Sequence, residues 1–132
     1  MNAAPHMGKE LEMMISEEKP LSMFCCSVMN GLTYEYIQED KFDVYVENGL
    51  LVKDVLEFQS SGSPVVVTRY VMYALKDEVW RIPAMKLTLQ TMNRVGRADE
   101  SVDRIIGGLL GYSEEGIDEY IDAGRHNIYC KK

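Results

Sequence analysis

The residues able to do chemistry are few and scattered. His126 and Cys130 stand four apart, a spacing that places two metal ligands on one side of a helix. A tetrahedral site would need two more ligands. Only Cys25, Cys26 and dispersed carboxylates remain to supply them, and no Cys-x-x-Cys occurs. Cys25 and Cys26 are adjacent, so a normal bridge between them would be strained. They lie in an apolar run, where thiols are usually inert. Three cysteines make no disulfide framework and agree with a reducing compartment. Gly107, Gly108 and Gly111 do not follow a strand and do not match a phosphate loop. Aspartates and glutamates abound, yet no pair separates as acid and base. No catalytic residue, cofactor site or metal site is therefore expected, and the balance leans away from an enzyme.

Charge is more informative. The chain has 132 residues and a formal net charge of -7. Residues 1–63 hold four lysines, no arginine and eleven acids, so the whole excess lies in that half. In the neutral remainder, Arg81 to Ala98 carries Arg81, Lys86, Arg94 and Arg97 and no acid. An acidic lobe and a basic segment can neutralise one another across the fold. They can also steer partners by sign. In the second case Arg81, Lys86, Arg94 and Arg97 are the candidate anion-binding set. The basic segment could also meet the acidic lobe of a second copy, giving a homodimer.

The most specific local pattern spans residues 104–121. It has a small residue, Gly107, four before a turn glycine, Gly111. Tyr112 follows, then a cap, Ser113, and apolar Ile117, Tyr120 and Ile121. Two short helices crossing closely need one small position and a turn that admits positive φ. This stretch resembles a DNA-binding helix-turn-helix unit. It departs from that pattern on the second helix, which should offer Arg, Lys, Gln or Asn to the groove. The outward positions are Glu114, Glu115, Asp118, Glu119 and Asp122. Carboxylates facing phosphates repel and release no counterions. Direct nucleic-acid binding is not expected, and a structural helical hairpin with a solvated acidic face is favoured.

Eight tyrosines are many for this length. Tyr34, Tyr36 and Tyr45 stand among Glu35, Glu39, Asp40, Asp43 and Glu47. Tyrosine among carboxylates suits a polar protein interface. It equally suits a half-buried amphipathic segment. Trp80 is expected in the core, as a lone Trp of a small domain usually is.

These residues need elements to position them. Length and composition fit one domain over residues 1–132, with 125–132 as a tail. Residues 1–7, ending in His6-Met7, resemble the remnant of an expression tag and carry no functional weight. Lys9 to Glu18 reads as a helix, and Leu21 to Met29 as a buried helix. The apolar run from Leu21 to Leu32, interrupted by Ser22, Ser27, Asn30 and Gly31, is too short to cross a membrane. Ser63-Pro64 reads as a helix start, with Val67, Tyr70, Val71, Ala74 and Leu75 as its stripe. The β-branched run Val65 to Val67 argues for a strand instead. Pro83 to Gly96 is a helix with Met85, Leu89, Met92 and Val95 inward. Asp99 and Ser113 cap two more, the first with Val102, Ile105, Ile106, Leu109 and Leu110 as its stripe. Between residues 33 and 52, Asn48-Gly49 is either a hairpin turn or a break between helices. The helical choice is preferred there. The sum is an all-α bundle of five to seven short helices, with a hairpin near 42–52 or an α+β fold as alternatives.

The expected function is a small acidic cytoplasmic interaction or inhibitor protein that meets a basic protein surface. Glu35, Glu39, Asp40, Asp43, Tyr45, Glu114, Glu115, Asp118 and Glu119 are its candidate contacts. A helical ligand binder or enzyme acting on an anionic substrate is the second reading. A helix-turn-helix-like regulator is the third.

Overall fold

Leu21–Met29 and Val66–Leu75 are apolar at nearly every position, and both lie in the middle of a sheet rather than in helices. The computed structural model describes residues 8–29, 32–33, 39–96 and 99–122. Helix α1 (Glu10–Ile15) leads into strand β1 (Leu21–Met29) and the two-residue strand β2 (Leu32–Thr33). Helix α2 (Glu39–Glu47) is followed by β3 (Leu51–Gln59) and β4 (Val66–Leu75). A 3₁₀ turn, Lys76–Glu78, then precedes α3 (Arg81–Val95), α4 (Glu100–Leu109) and α5 (Glu114–Asp122). The sheet is antiparallel in the order β2-β1-β4-β3. The fold is thus α+β, and the all-α expectation is corrected.

The correction has a physical cause. A strand covered on both faces has no polar side and shows no alternation. Every period can then be found in it, the helical one included. One face of the sheet buries Leu21, Cys25, Tyr70, Met72 and Ala74 against Ile82, Met85 and Leu89 of α3 and Ile106 and Leu109 of α4. The opposite face buries Cys26, Leu51, Val71, Tyr73 and Leu75 against Met14 of α1 and Phe42 of α2. Residues two apart share a face, so neighbours in the run face different layers. The β-branched Val65 to Val67, which argued for a strand, lead into β4. Pro64 stands in the β3–β4 loop, where Ser60 N–H donates to Val66 O at 2.8 Å.

The segment around Asn48-Gly49 divides the two expectations. Phe42, Val44 and Val46 lie in α2, so the hairpin near 42–52 is not formed. Residues 51–59 form a strand, so a second helix there is not formed either. Gly49 has φ +88° and ends α2, while Asn48 Oδ1 accepts the Leu50 N–H at 3.0 Å. An Asn-Gly pair supplies the left-handed turn needed by a helix end as readily as by a hairpin.

The C-terminal helices match their sequence signals. Gly96 closes α3 at φ +87°. Asp99 caps α4 by accepting the Val102 N–H at 3.0 Å, and Ser113 Oγ accepts the Gly116 N–H at 3.1 Å. Among the described residues, no helix is long and apolar enough to cross a membrane.

Candidate interaction surfaces

The acidic lobe turns part of its charge inward. Glu39 opens α2 and faces the sheet, where Arg69 NH1 and NH2 donate to its two oxygens at 3.0 and 3.1 Å. Lys53 Nζ lies 3.0 Å from Glu39 Oε1 and donates to Asp43 at 3.0 and 3.1 Å. Tyr73, paired with Lys53 across β3 and β4, donates its hydroxyl to Asp43 Oδ1 at 3.1 Å. Two acids meet two bases, so the cluster is neutral. The Arg69 hydrogen bonds hold the Glu39 carboxyl below its ordinary value, against burial, with Lys53 adding to the effect. Burial opposes the charge on Lys53, but Asp43 and Glu39 outweigh it and raise its pKa. The Glu39 hydrogen bonds raise Arg69 as well. Beside the cluster Phe42 stacks on Tyr73 at 4.7 Å and meets Phe24 edge-on at 5.2 Å. Polar and aromatic contacts together fasten α2 to the sheet.

Glu39 and Asp43 therefore serve the fold. Asp40 is exposed, and Tyr45 packs half-buried against the α1/α2 side of the core. Glu35, Tyr34 and Tyr36 lie outside the described residues.

Helix α5 is different. Gly116, Ile117 and Tyr120 are buried, and Glu114, Glu115, Asp118, Glu119 and Asp122 are all exposed. The helix contains no base. Its one described ion pair joins Asp118 Oδ1 to Arg104 NH1 of α4 at 2.7 Å. Glu114 and Glu115 stand in the first turn, where the helix dipole favours negative charge. Close packing with α4 rests on Gly107. A Cβ there would lie 2.8 Å from Ile117 Cγ1. Gly111, at φ +92°, makes the turn, and a Cβ on it would meet Pro20 at 2.6 Å. The hairpin has the geometry its glycines suggested, and its outer face remains acidic.

The candidate anion-binding residues do not converge. Arg81 Nε donates to Glu78 Oε2 at 2.9 Å, and its NH1 donates to the Gly108 and Leu109 carbonyls at 3.1 Å each. It thereby satisfies free carbonyls at the end of α4. Lys86 pairs with Asp54 of β3 at 3.1 Å. Arg94 is exposed in the last turn of α3 and makes no ion pair with a described residue. Arg97, His126 and Cys130 lie outside the described residues. Among the described residues no group of three His, Cys, Asp or Glu side chains could hold a metal. Cys26 is a buried free thiol, whereas Cys25 is disulfide-bonded, so the reading of both as inert thiols is corrected at Cys25.

Two features escaped the sequence reading. Trp80 is 55% exposed rather than a core plug, with Nε1 donating to Glu78 Oε2 at 3.0 Å and Arg81 stacked 4.7 Å from its ring. Leu87 and Val95 on the same helix are 65% and 63% exposed, so Val95 is not part of the inward stripe. Ile105, expected inward on α4, is also exposed. The signal for the first feature was present: Trp80 and Leu87 are seven apart, two helical turns, and both lie off the Met85-Leu89-Met92 line. Lys19 is the second. It is almost fully buried, donates to Leu110 O at 2.7 Å and lies 4.9 Å from the Tyr112 ring. The chain matches no family model, no curated protein and no solved structure.

Proposed function

We propose that this chain is a non-enzymatic interaction protein that docks a basic surface of another protein on the acidic face of α5. What carries the reading is the uncompensated charge of that face. Five exposed carboxylates stand on one nine-residue helix without a base, and one described cation, Arg104, answers them. Glu39 and Asp43, by contrast, are answered within the fold. Exposed like charges on a packed helix form a field of fixed shape, which favours encounter with the opposite sign. The ligand-binding reading loses support, because Arg81 and Lys86 are engaged in internal contacts. DNA recognition through α5 meets repulsion from the same carboxylates.

The test is capture of partners from the native cells at low and high salt. The triple variant Glu114→Lys, Glu115→Lys, Glu119→Lys should lose the proteins that elute as salt rises. A control with the equally exposed Glu12, Glu17 and Glu47 reversed to Lys should retain them. Equal losses in both variants would reduce the effect to net charge and defeat the reading.

A further inference from the structure

Asn48-Gly49 brings together an electrophile, a nucleophile and open space. The amide carbon of an Asn side chain can be attacked by the backbone nitrogen of the next residue, one reason that Asn is thermolabile. A following Gly has no Cβ to block the approach. Both residues are exposed, and nothing lies within 4 Å of the Cβ position of Gly49. The Leu50 N–H donates to Asn48 Oδ1 at 3.0 Å, which folds the side chain over the Asn48–Gly49 peptide and polarises its carbonyl. The attacking nitrogen is held by a single bond, from the Gly49 N–H to Val46 O at 3.2 Å, the long end of the range. That bond belongs to the end of α2, and helix ends fray.

We infer that Asn48 is a site of spontaneous deamidation through a cyclic imide, and that the product loosens α2. The Gly49 nitrogen bonds to Asn48 Cγ, and its proton leaves with the side-chain NH2 group as ammonia. Water then opens the imide at either carbonyl. The result is an aspartate or, with the main chain rerouted through the side chain, an isoaspartate. Either product sets a carboxylate beside Glu47 at the C-terminal end of α2. There the helix dipole disfavours negative charge, and the last turn holds no base. The isoaspartate also lengthens the main chain by a methylene between α2 and β3. That connection sets the register in which Lys53 of β3 donates to Asp43 of α2 at 3.0 and 3.1 Å. The site lies apart from α5 and does not depend on the reading proposed for it.

The experiment is incubation of the full chain at mildly alkaline pH, folded or in guanidinium chloride, followed by tryptic digestion and mass spectrometry. Cleavage after Lys41 and Lys53 separates Asn48 from the other Asn-Gly pair of the sequence, Asn30-Gly31. Peptide 42–53 from the folded protein should gain the mass of an amide-to-acid change and resolve into aspartate and isoaspartate forms. A frayed helix end opens at little cost, so the folded and unfolded chains should react within about tenfold of each other. In the aged protein the amides of α2 should exchange with solvent about tenfold faster, while those of α4 keep their rates. A folded chain slower than that, or aspartate formed without isoaspartate, overturns the site. Exchange in α2 that does not change on ageing overturns the loosening.

Discussion

Gly107 and Gly108 are adjacent in α4 yet meet opposite surroundings. A Cβ on Gly107 would press on Ile117, while a Cβ on Gly108 would have nothing within 4 Å. Gly107→Ala should therefore destabilise the protein by about 1–3 kcal/mol through overpacking. Gly108→Ala should stabilise it by about 0.5–1 kcal/mol, since Ala costs less backbone entropy in a helix. Urea denaturation of the two variants checks both signs. Lys19 offers a second contrast. Burial lowers its pKa from 10.5 to about 8, against the raising effect of Glu10. Between those values the unfolded chain holds a proton that the folded chain has released, so stability rises with pH across that window. The charged form carries its full cost below pH 8. The gain is on the order of 3 kcal/mol when complete. The stability difference between the parent and Lys19→Met should move in favour of the parent from pH 8 to pH 10. A difference independent of pH would show that Lys19 keeps an ordinary pKa. Tyr73 and Tyr112, raised first by burial, are present in both proteins and largely cancel.

Among the elements, α2 depends most on polar contacts. Glu39→Gln keeps the shape but removes the charge that answers Arg69 and Lys53, at a cost of about 1–2 kcal/mol at neutral pH. The Glu39 carboxyl is held low in the fold, so it adds stability above its unfolded pKa that is lost as pH falls through the folded value. Parent and Glu39→Gln should accordingly converge in stability toward acid pH, which equilibrium denaturation at neutral and acid pH will check. The element scale also separates what was legible from what was not. Helices α3, α4 and α5 were readable because one side of each is polar and glycine, Asp99 and Ser113 mark their ends. β1 and β4 were not, because both of their faces are buried and any period fits. The acidic face of α5 was readable from Glu114 to Asp122. The inward turn of Glu39 and Asp43 was not, because their cations Lys53 and Arg69 come from strands distant in sequence.

At the scale of the whole molecule, the sheet divides two kinds of layer. α1 and α2 cover one face, and the charged cluster closes part of that layer. α3 and α4 cover the other face with apolar contacts, and α5 packs on α4. The formal charge of the N-terminal half is partly spent inside the first layer, so the surface field differs from the linear charge map. The exposed acidic helix belongs to the half whose formal charge is zero. The α4–α5 turn is moored to the start of β1, where Lys19 holds the Leu110 carbonyl and Pro20 fills the space beside Gly111. Residues ninety-one positions apart in the chain are thereby joined at the turn that leads into the acidic helix. A load applied to α5 passes through this mooring into β1, one of the two inner strands of the sheet, and is shared with the scaffold.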